Sequence, residues 1–535
     1  MTKLRQLFSM WQTPQSQPIP GSNQVANSAG GYAWAVDDWM QLDRFLVLGS
    51  EGGTFYIQPQ KLTRENAEAV LRCLQADGRR VVSRVVEISE NGRAPRNDPA
   101  LFVLAMAAGL GDEATRQAAI AALPRVARTG THLFHFMEFV EGFRGWGRAL
   151  RRGVANWYTG MDAERLAYQA VKYQQRDGWS HRDALRLAHP QAPTAVHNQL
   201  FHWMTQGWEA ANLPAAAPDD SALQTIWAFE QAKQATSVGD VQRLVETYGL
   251  PWEAIPTQWL AEADVWRTLL PHLPLTALLR NLARLTANGV LTPLGAETER
   301  VVERLTDAEQ LRRARVHPVA VLAALLTYRH GKGARGGLTW NPVTAVVDAL
   351  DQAFYRAFQN VEATGKRLVL ALDVSGSMSM GTVAGVPGLT PRVASAAMAL
   401  VTAATEQHVS IIGFSHQMVR LNISPRQRLD DAVQAVSNLP FGATDVAQPM
   451  LWALANGVKA DAFVVYTDSE TWYGNVHPTQ ALQEYRRRTG IPAKLVVVGM
   501  VANRFSVADP NDAGMLDVVG FDTAVPSLIA DFIRE

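Results

Sequence analysis

Two hydrophobic rhythms divide the chain. From about Glu65 to Asn360, apolar residues recur at helical spacing in short segments such as NAEAVLRCLQ, RRVVSRVVEISE, DPALFVLAMAAG, DEATRQAAIAALPRVA and THLFHFMEFVEGF, parted by Gly, Pro or Asp. No exact sequence repeat is present, but helix pairs follow one another at roughly 35 to 45 residues, the rhythm of a stacked helical solenoid with a curved surface. Past VEATGK at 361–366 the pattern changes to uninterrupted apolar runs: Leu368 to Leu372, HVSIIGFS from His408, Ala462 to Tyr466, and AKLVVVGM from Ala493. Such runs, alternating with helical stretches like Leu429 to Leu439, predict a doubly wound parallel sheet covered on both faces. Upstream, residues 1–30 are rich in Gln, Pro, Ser and Asn and are expected to be a flexible arm, with a short extended entry and a helix in GYAWAVDDWMQLDRFLVLG. The expected domains are thus the arm (1–30), a helical-repeat domain (31–361) and an α/β domain (362–535). NLPAAAPDDS at Asn212 to Ser221 reads as a surface loop or a break between helical subsets within the second.

The strand in KRLVLALDVSGSMS delivers Asp373, Ser375 and Ser377 into one loop, where Gly376 lets the backbone turn so that three oxygen side chains converge. One carboxylate and two hydroxyls suit a hard divalent cation, Mg²⁺ above all, and leave coordination positions open for an outside ligand. Ligands in doubly wound sheets gather beyond the carboxyl ends of the strands. There lie Thr444, in FGATD, and Asp468, at the end of AFVVYTD. This DxSxS, Thr and Asp arrangement resembles the metal-ion-dependent adhesion site of von Willebrand factor A domains, with Asp373, Ser375, Ser377, Thr444 and Asp468 matching its five positions. The plainer alternative is that the serines cap the next helix. Asp445 and Glu470 are either supports for the ligands or ordinary loop carboxylates.

Fifty basic and 50 acidic residues give zero formal net charge, so the chain as a whole offers no electrostatic case for a polyanion. The distribution does. Between Arg144 and His189, nine cations (Arg144, Arg148, Arg151, Arg152, Arg165, Lys172, Arg176, Arg182, Arg186) meet four anions (Asp162, Glu164, Asp177, Asp183), with His181 and His189 besides. Arg165, Gln169, Lys172 and Arg176 fall on one face of a predicted helix that Gly178 would end, opposite Leu166, Ala167, Ala170 and Val171. Ser180 and Asp183 stand at capping-box spacing for the next helix, whose start aims backbone N–H groups outward. Trp146, Tyr158, Tyr173 and Trp179 are interleaved, as stacking side chains or as core. The plainer reading of these arginines is a solvated helix face. His132 and His135 lack a third ligand and read as packing. TGK at 364–366 and GKGARG at 331–336 lack the preceding strand of a phosphate loop. The single cysteine, Cys73, excludes an intrachain disulfide and suits a reducing cytoplasm. The longest apolar run, Ala100 to Leu110, is too short to span a bilayer.

Several segments together (DRFLVLGSEGGTFYI, ENAEAVLR, THLFHF, WGRALRR, KYQQRDGWSHRDALRLAH, PLTALLRNLARLTANGVL, GKRLVLALDVSGSMS, YTDSETW and GMLDVVGFDT) resemble the Ro autoantigen family, the TROVE-domain proteins, over nearly the whole chain. Ala and Arg-rich usage suggests a bacterial member. The resemblance implies HEAT-like helical repeats in a ring closed by a von Willebrand factor A domain. It implies a monomeric, noncatalytic, cytoplasmic ribonucleoprotein component that binds Y RNA outside the ring and single-stranded 3′ ends of misfolded noncoding RNA in its hole, in RNA quality control, with exoribonucleases as partners. The family's RNA-contacting residues in its KYKQR and LSH motifs correspond to Lys172, Arg176 and His189, while Gln174 and Ala188 depart from the usual basic residue and serine. From the site itself two other classes arise. One is a scaffold that captures an acidic side chain of a protein partner on the metal. The other is a metal nuclease, disfavoured because such chemistry wants several clustered carboxylates.

Overall fold

The computed structural model describes residues 12–27, 29–35, 37–48, 67–92, 94, 96–208, 216–333, 337–437, 439, 442–468, 471–500, 505–519 and 525–534. Their strands are β1 (Gln24–Ala26), β2 (Tyr32–Ala35), β3 (Gln175–Arg176), β4 (Trp179–Ser180), β5 (Arg367–Asp373), β6 (His408–Phe414), β7 (Met418–Arg420), β8 (Ala462–Thr467), β9 (Lys494–Gly499), β10 (Phe505–Ser506) and β11 (Met515–Val519). Packing divides the chain into two compact units. One comprises Val70–Leu305 with Gly331–Asp348; the other comprises the described residues up to Ala69, Thr306–His330 and Ala349 onward. The boundary expected at 361/362 is therefore not the one that packing draws. Asn360 donates to the carbonyls of Leu311 and Val316, and the Tyr355 hydroxyl accepts from the Leu429 N–H at 2.7 Å, which holds helices read as solenoid to the sheet-bearing unit.

The helical unit is a succession of short helices whose starts are set by local chemistry. Asp112, Thr129, Asp162, Thr194, Asp220 and Ser237 each accept from a backbone N–H of the first turn that no carbonyl can reach. The helix Asp98–Leu110 is apolar all round and is buried at every position from Pro99 to Ala108. It packs on Gly130–Phe143, where Phe102 meets Phe139 and Phe143 edge-on at 5.2 and 5.3 Å. The expected helix through Arg176 is corrected. It stops at Lys172, and residues 175–180 form the β3–β4 hairpin, turned by Asp177 (φ 52°) and Gly178 (φ 82°). Asp-Gly supplies the two positive φ values a tight hairpin turn needs, and that preference wins over continued helical spacing. The predicted start at Ser180 holds, with Ser180 and Asp183 bonded reciprocally in a capping box.

In the other unit a six-stranded sheet runs in the order β11-β9-β8-β5-β6-β7, parallel except for the edge strand β7. Central β5 is flanked by β6 and β8 and is buried from Leu368 onward, as its unbroken apolar run requires. The expected flexible arm is corrected over residues 12–27, 29 and 30; its residues 1–11 and 28 lie outside the described residues. Gln15 is fully buried and Thr13 nearly so, and β1 pairs with β2, which pairs with β10. The stretch is polar because its amide groups make bonds, not because it is solvated. Gln15 Nε2 donates to Asp445 at 2.5 Å and to the Val476 carbonyl at 2.9 Å. No helix among the described residues is long and apolar enough to cross a membrane.

Candidate metal loop and basic surface

Asp373 is the last residue of β5 and Asp468 follows the last residue of β8, so adjacent parallel strands bring both carboxylates to one end of the sheet. Both are 1% exposed. The Asp373 oxygens are already oriented: Oδ1 accepts the Ser375 N–H at 2.8 Å, and Oδ2 accepts the Thr467 hydroxyl at 2.8 Å. Ser375 and Ser377 place their hydroxyl oxygens 3.0 Å apart. Burial, and then the charge of Asp468, push the Asp373 carboxyl well above the usual carboxylate range. Thr444 is buried on a neighbouring loop whose carbonyl accepts the N–H groups of Trp472 and Tyr473 at 3.2 Å each, tying it to the segment that follows Asp468.

The donors fit a divalent cation. They are hard oxygens, and the carboxylates are costly to keep charged together without a positive neighbour, a cost that Mg²⁺ would relieve. Among the described residues no group of three His, Cys, Asp or Glu side chains is arranged to hold a metal, so the fit depends on the hydroxyls of Ser375, Ser377 and Thr444. Asp445 has a different task from ligand support. Its oxygens take Gln15, Gln448 and the Ala447 N–H, and burial raises its carboxyl to about 6. Glu470 lies outside the described residues.

Two features of this end escaped sequence reading. Arg392, 6% exposed, donates to the Ser375 carbonyl at 2.9 Å and so fixes the loop from below. A lone arginine in the otherwise apolar helix PRVASAAMALV was its signal. Trp472 and Tyr473 are 41% and 47% exposed and pack edge-on at 5.9 Å, with His416 6.2 Å from Tyr473.

On the helical unit, Arg144, Arg148, Arg151, Arg152, Arg165, Arg176, Arg182 and Arg186 are all exposed. Among the described residues only Arg176 of these forms an ion pair, with Asp177 at 3.5 Å. Arg148, Arg151 and Arg152 share the helix Arg148–Thr159, and Arg182 and Arg186 share His181–Ala188. His189 is exposed at the end of that second helix in left-handed backbone (φ 45°), its N–H on the Leu185 carbonyl. Lys172 is half-buried beside Tyr168, Tyr173 and Glu253.

Two predicted members of the surface belong to the interior. His181 is 4% exposed, bonded to the Tyr158 hydroxyl at 2.8 Å and packed on Phe134 and Trp157; burial lowers its pKa to about 4. It is the first residue of its helix, and the turn of about 100° to the next position leaves Arg182 exposed. Gln169, expected in the polar stripe, is 7% exposed and accepts the Gly130 N–H at 2.9 Å. Tyr158 is core, whereas Trp146 and Trp179 meet edge-on at 5.7 Å near the hairpin. His132 is half-buried, with its pKa lowered to about 4 chiefly by burial, and His135 bonds Asp177 and approaches Asp98 at 3.8 Å.

Residues 25–327 match the TROVE domain and residues 367–533 match the Ro60 vWA domain. The chain is 46% identical over its full length to the RNA-binding protein RO60 of Deinococcus radiodurans, covering 99% of that protein. It is 34% identical to the RNA-binding protein RO60 of Caenorhabditis elegans, with 97% of this chain and 91% of the relative aligned. The crystal structure of the Deinococcus radiodurans RO (RSR) protein superposes with a TM-score of 0.77 at 47% identity, covering 93% of this chain and 99% of the other. Helical unit, parallel-sheet unit and full-length similarity agree, and the chain belongs to the Ro60 family of TROVE-domain proteins with a vWA domain.

Proposed function

We propose that the protein is a noncatalytic RNA-binding protein whose helical unit holds phosphates on the Arg144 to His189 surface. One observation carries this reading: seven of its eight arginines are exposed and form no ion pair among the described residues, although the chain as a whole is neutral. Arginines that serve a solvated face commonly pair with neighbouring carboxylates, as Arg312 and Arg313 do with Glu309. Unpaired guanidinium groups gathered on consecutive helices suit phosphate oxygens. The finer assignment follows the family. Y RNA would bind the outside of a ring, single-stranded 3′ ends of misfolded RNA would enter its hole, and the sorting of RNAs by a free end would serve quality control or decay with exoribonuclease partners in the cytoplasm. Both RO60 relatives are named as RNA-binding proteins, which supports the coarse class.

The test is a salt titration. Lys172→Ala with Arg176→Ala should weaken binding of a single-stranded RNA and reduce the slope of log affinity against log salt by about 1.4, near 0.7 for each phosphate that is no longer neutralised. An unchanged slope rejects this face.

A second reading concerns the other unit. Asp373, Ser375, Ser377, Thr444 and Asp468 would hold Mg²⁺ with a position left for a partner's acidic side chain, and the exposed Trp472 and Tyr473 favour a docking surface beside it. Asp373→Ala should then abolish Mg²⁺-dependent capture of a protein partner and leave RNA affinity within about twofold, as expected for a site that meets no phosphate.

A further inference from the structure

Lys172 has company that its arginine neighbours lack among the described residues, Arg176 with its Asp177 partner excepted. Its ammonium lies 3.0 Å from the Tyr168 hydroxyl and 3.4 Å from Glu253 Oε1. Burial works against its charge, yet the Tyr168 hydroxyl and the Glu253 carboxylate outweigh it and hold the ammonium above its ordinary pKa. Glu253 is placed, not wandering. It sits in the short turn Trp252–Ala254, where Trp252 packs at a tilt on Trp266 at 5.9 Å and lies 5.7 Å from the Arg284 guanidinium.

Tyr168 is 41% exposed, which is uncommon for so large an apolar ring. An ammonium 3.0 Å from its oxygen and 5.2 Å from its ring centre sits off the hydroxyl end and not over the face. Lys172 therefore does not cover the ring face, and Tyr168 keeps 41% of its surface exposed. A cation already holding an anionic oxygen, next to a partly exposed aromatic ring, matches the two halves of one nucleotide.

We propose that Tyr168, Lys172 and Glu253 form a gated subsite for an unpaired nucleotide: the base stacks on Tyr168, and its phosphate takes Lys172 by displacing the Glu253 carboxylate. This rests on the RNA-binding reading above. The gate gives selectivity. A duplex offers Lys172 a phosphate but no open base for Tyr168, so the cost of displacing Glu253 is offset only by single-stranded RNA.

Binding of a fluorescent single-stranded oligoribonucleotide and of a blunt RNA duplex to the full chain tests it, with Lys172→Ala, Glu253→Gln, Tyr168→Ala and Tyr168→Phe. Glu253→Gln should tighten both RNAs by roughly threefold, the magnitude of a partly exposed pair, and that gain should vanish when Lys172→Ala is added. Tyr168→Ala should weaken the single strand by about fivefold or more and spare the duplex, and Tyr168→Phe should restore most of the loss. A Glu253→Gln gain that survives in the Lys172→Ala background would be a general charge effect and overturns the gate. Equal losses for both RNAs with Tyr168→Ala, or no loss, overturn the stacking. If Lys172→Ala itself changes nothing, the binding face is wrong; if Lys172→Ala weakens binding while Glu253→Gln and Tyr168→Ala are silent, only the subsite is.

Discussion

His181 shows what a single residue can conceal. In the sequence it stands between Ser180 and Arg182 in a basic stretch, with the look of a nucleic-acid ligand, yet in the fold it closes an aromatic cluster with Tyr158, Trp157 and Phe134. Spacing gave the helix start correctly but could not say which way its first side chain turns, because that depends on partners distant along the chain. The consequence is a pH dependence of stability. The unfolded imidazole titrates near 6.5 and the buried one near about 4, so the unfolded chain accepts a proton that the folded state refuses. This contribution is complete above pH 6.5 and drains as pH falls through 4, up to about 3 kcal/mol. Denaturant midpoints measured at pH 7 and pH 5 should diverge less in His181→Gln than in the wild type. An equal drop in both proteins would show that other groups carry it.

Elements were legible where their signals were local. Cap residues, the capping box at Ser180 and Asp183, and the apolar runs of β5, β8 and β9 could be read directly, and the DxSxS loop followed from where β5 ends. What failed depended on distant partners or on competing local signals. The segment 12–27 has the composition of a solvated arm, and its order comes from Asp445 and Val476, which lie more than four hundred residues downstream. The β3–β4 hairpin was announced by Asp177-Gly178 but hidden under helical periodicity that ran past Lys172. Each carries a prediction. Gln15→Ala leaves a buried carboxylate short of a donor and should cost about 1–3 kcal/mol in urea unfolding, whereas the exposed neighbour Gln17→Ala should be close to neutral. Gly178→Ala puts a side chain at φ 82° with nothing nearby to clash, so backbone strain alone should cost about 1 kcal/mol. Because β3 holds Arg176, the same variant should weaken RNA binding slightly without changing its salt slope.

At the scale of the molecule, zero net charge hides two different surfaces. The helical unit gathers unpaired arginines from consecutive helices, while the sheet-bearing unit buries two carboxylates at one end of β5 and β8. The proposed phosphate surface and the proposed cation site would each be built from side chains of its own unit. Ligands should therefore protect different segments in hydrogen exchange. A cation bound at a hundred times its dissociation constant stabilises the folded state by about 2.7 kcal/mol, enough to slow exchange about a hundredfold where opening exposes the site. Mg²⁺ should protect the ends of β5 and β8 and the loop Gly376–Ser379, and Asp373→Ala should remove that effect. RNA should instead protect 144–189, in the presence or absence of Mg²⁺ and in Asp373→Ala alike. Mg²⁺-dependent protection that persists in Asp373→Ala would place the cation elsewhere, and RNA protection confined to the sheet-bearing unit would move the nucleic-acid surface off the arginines altogether.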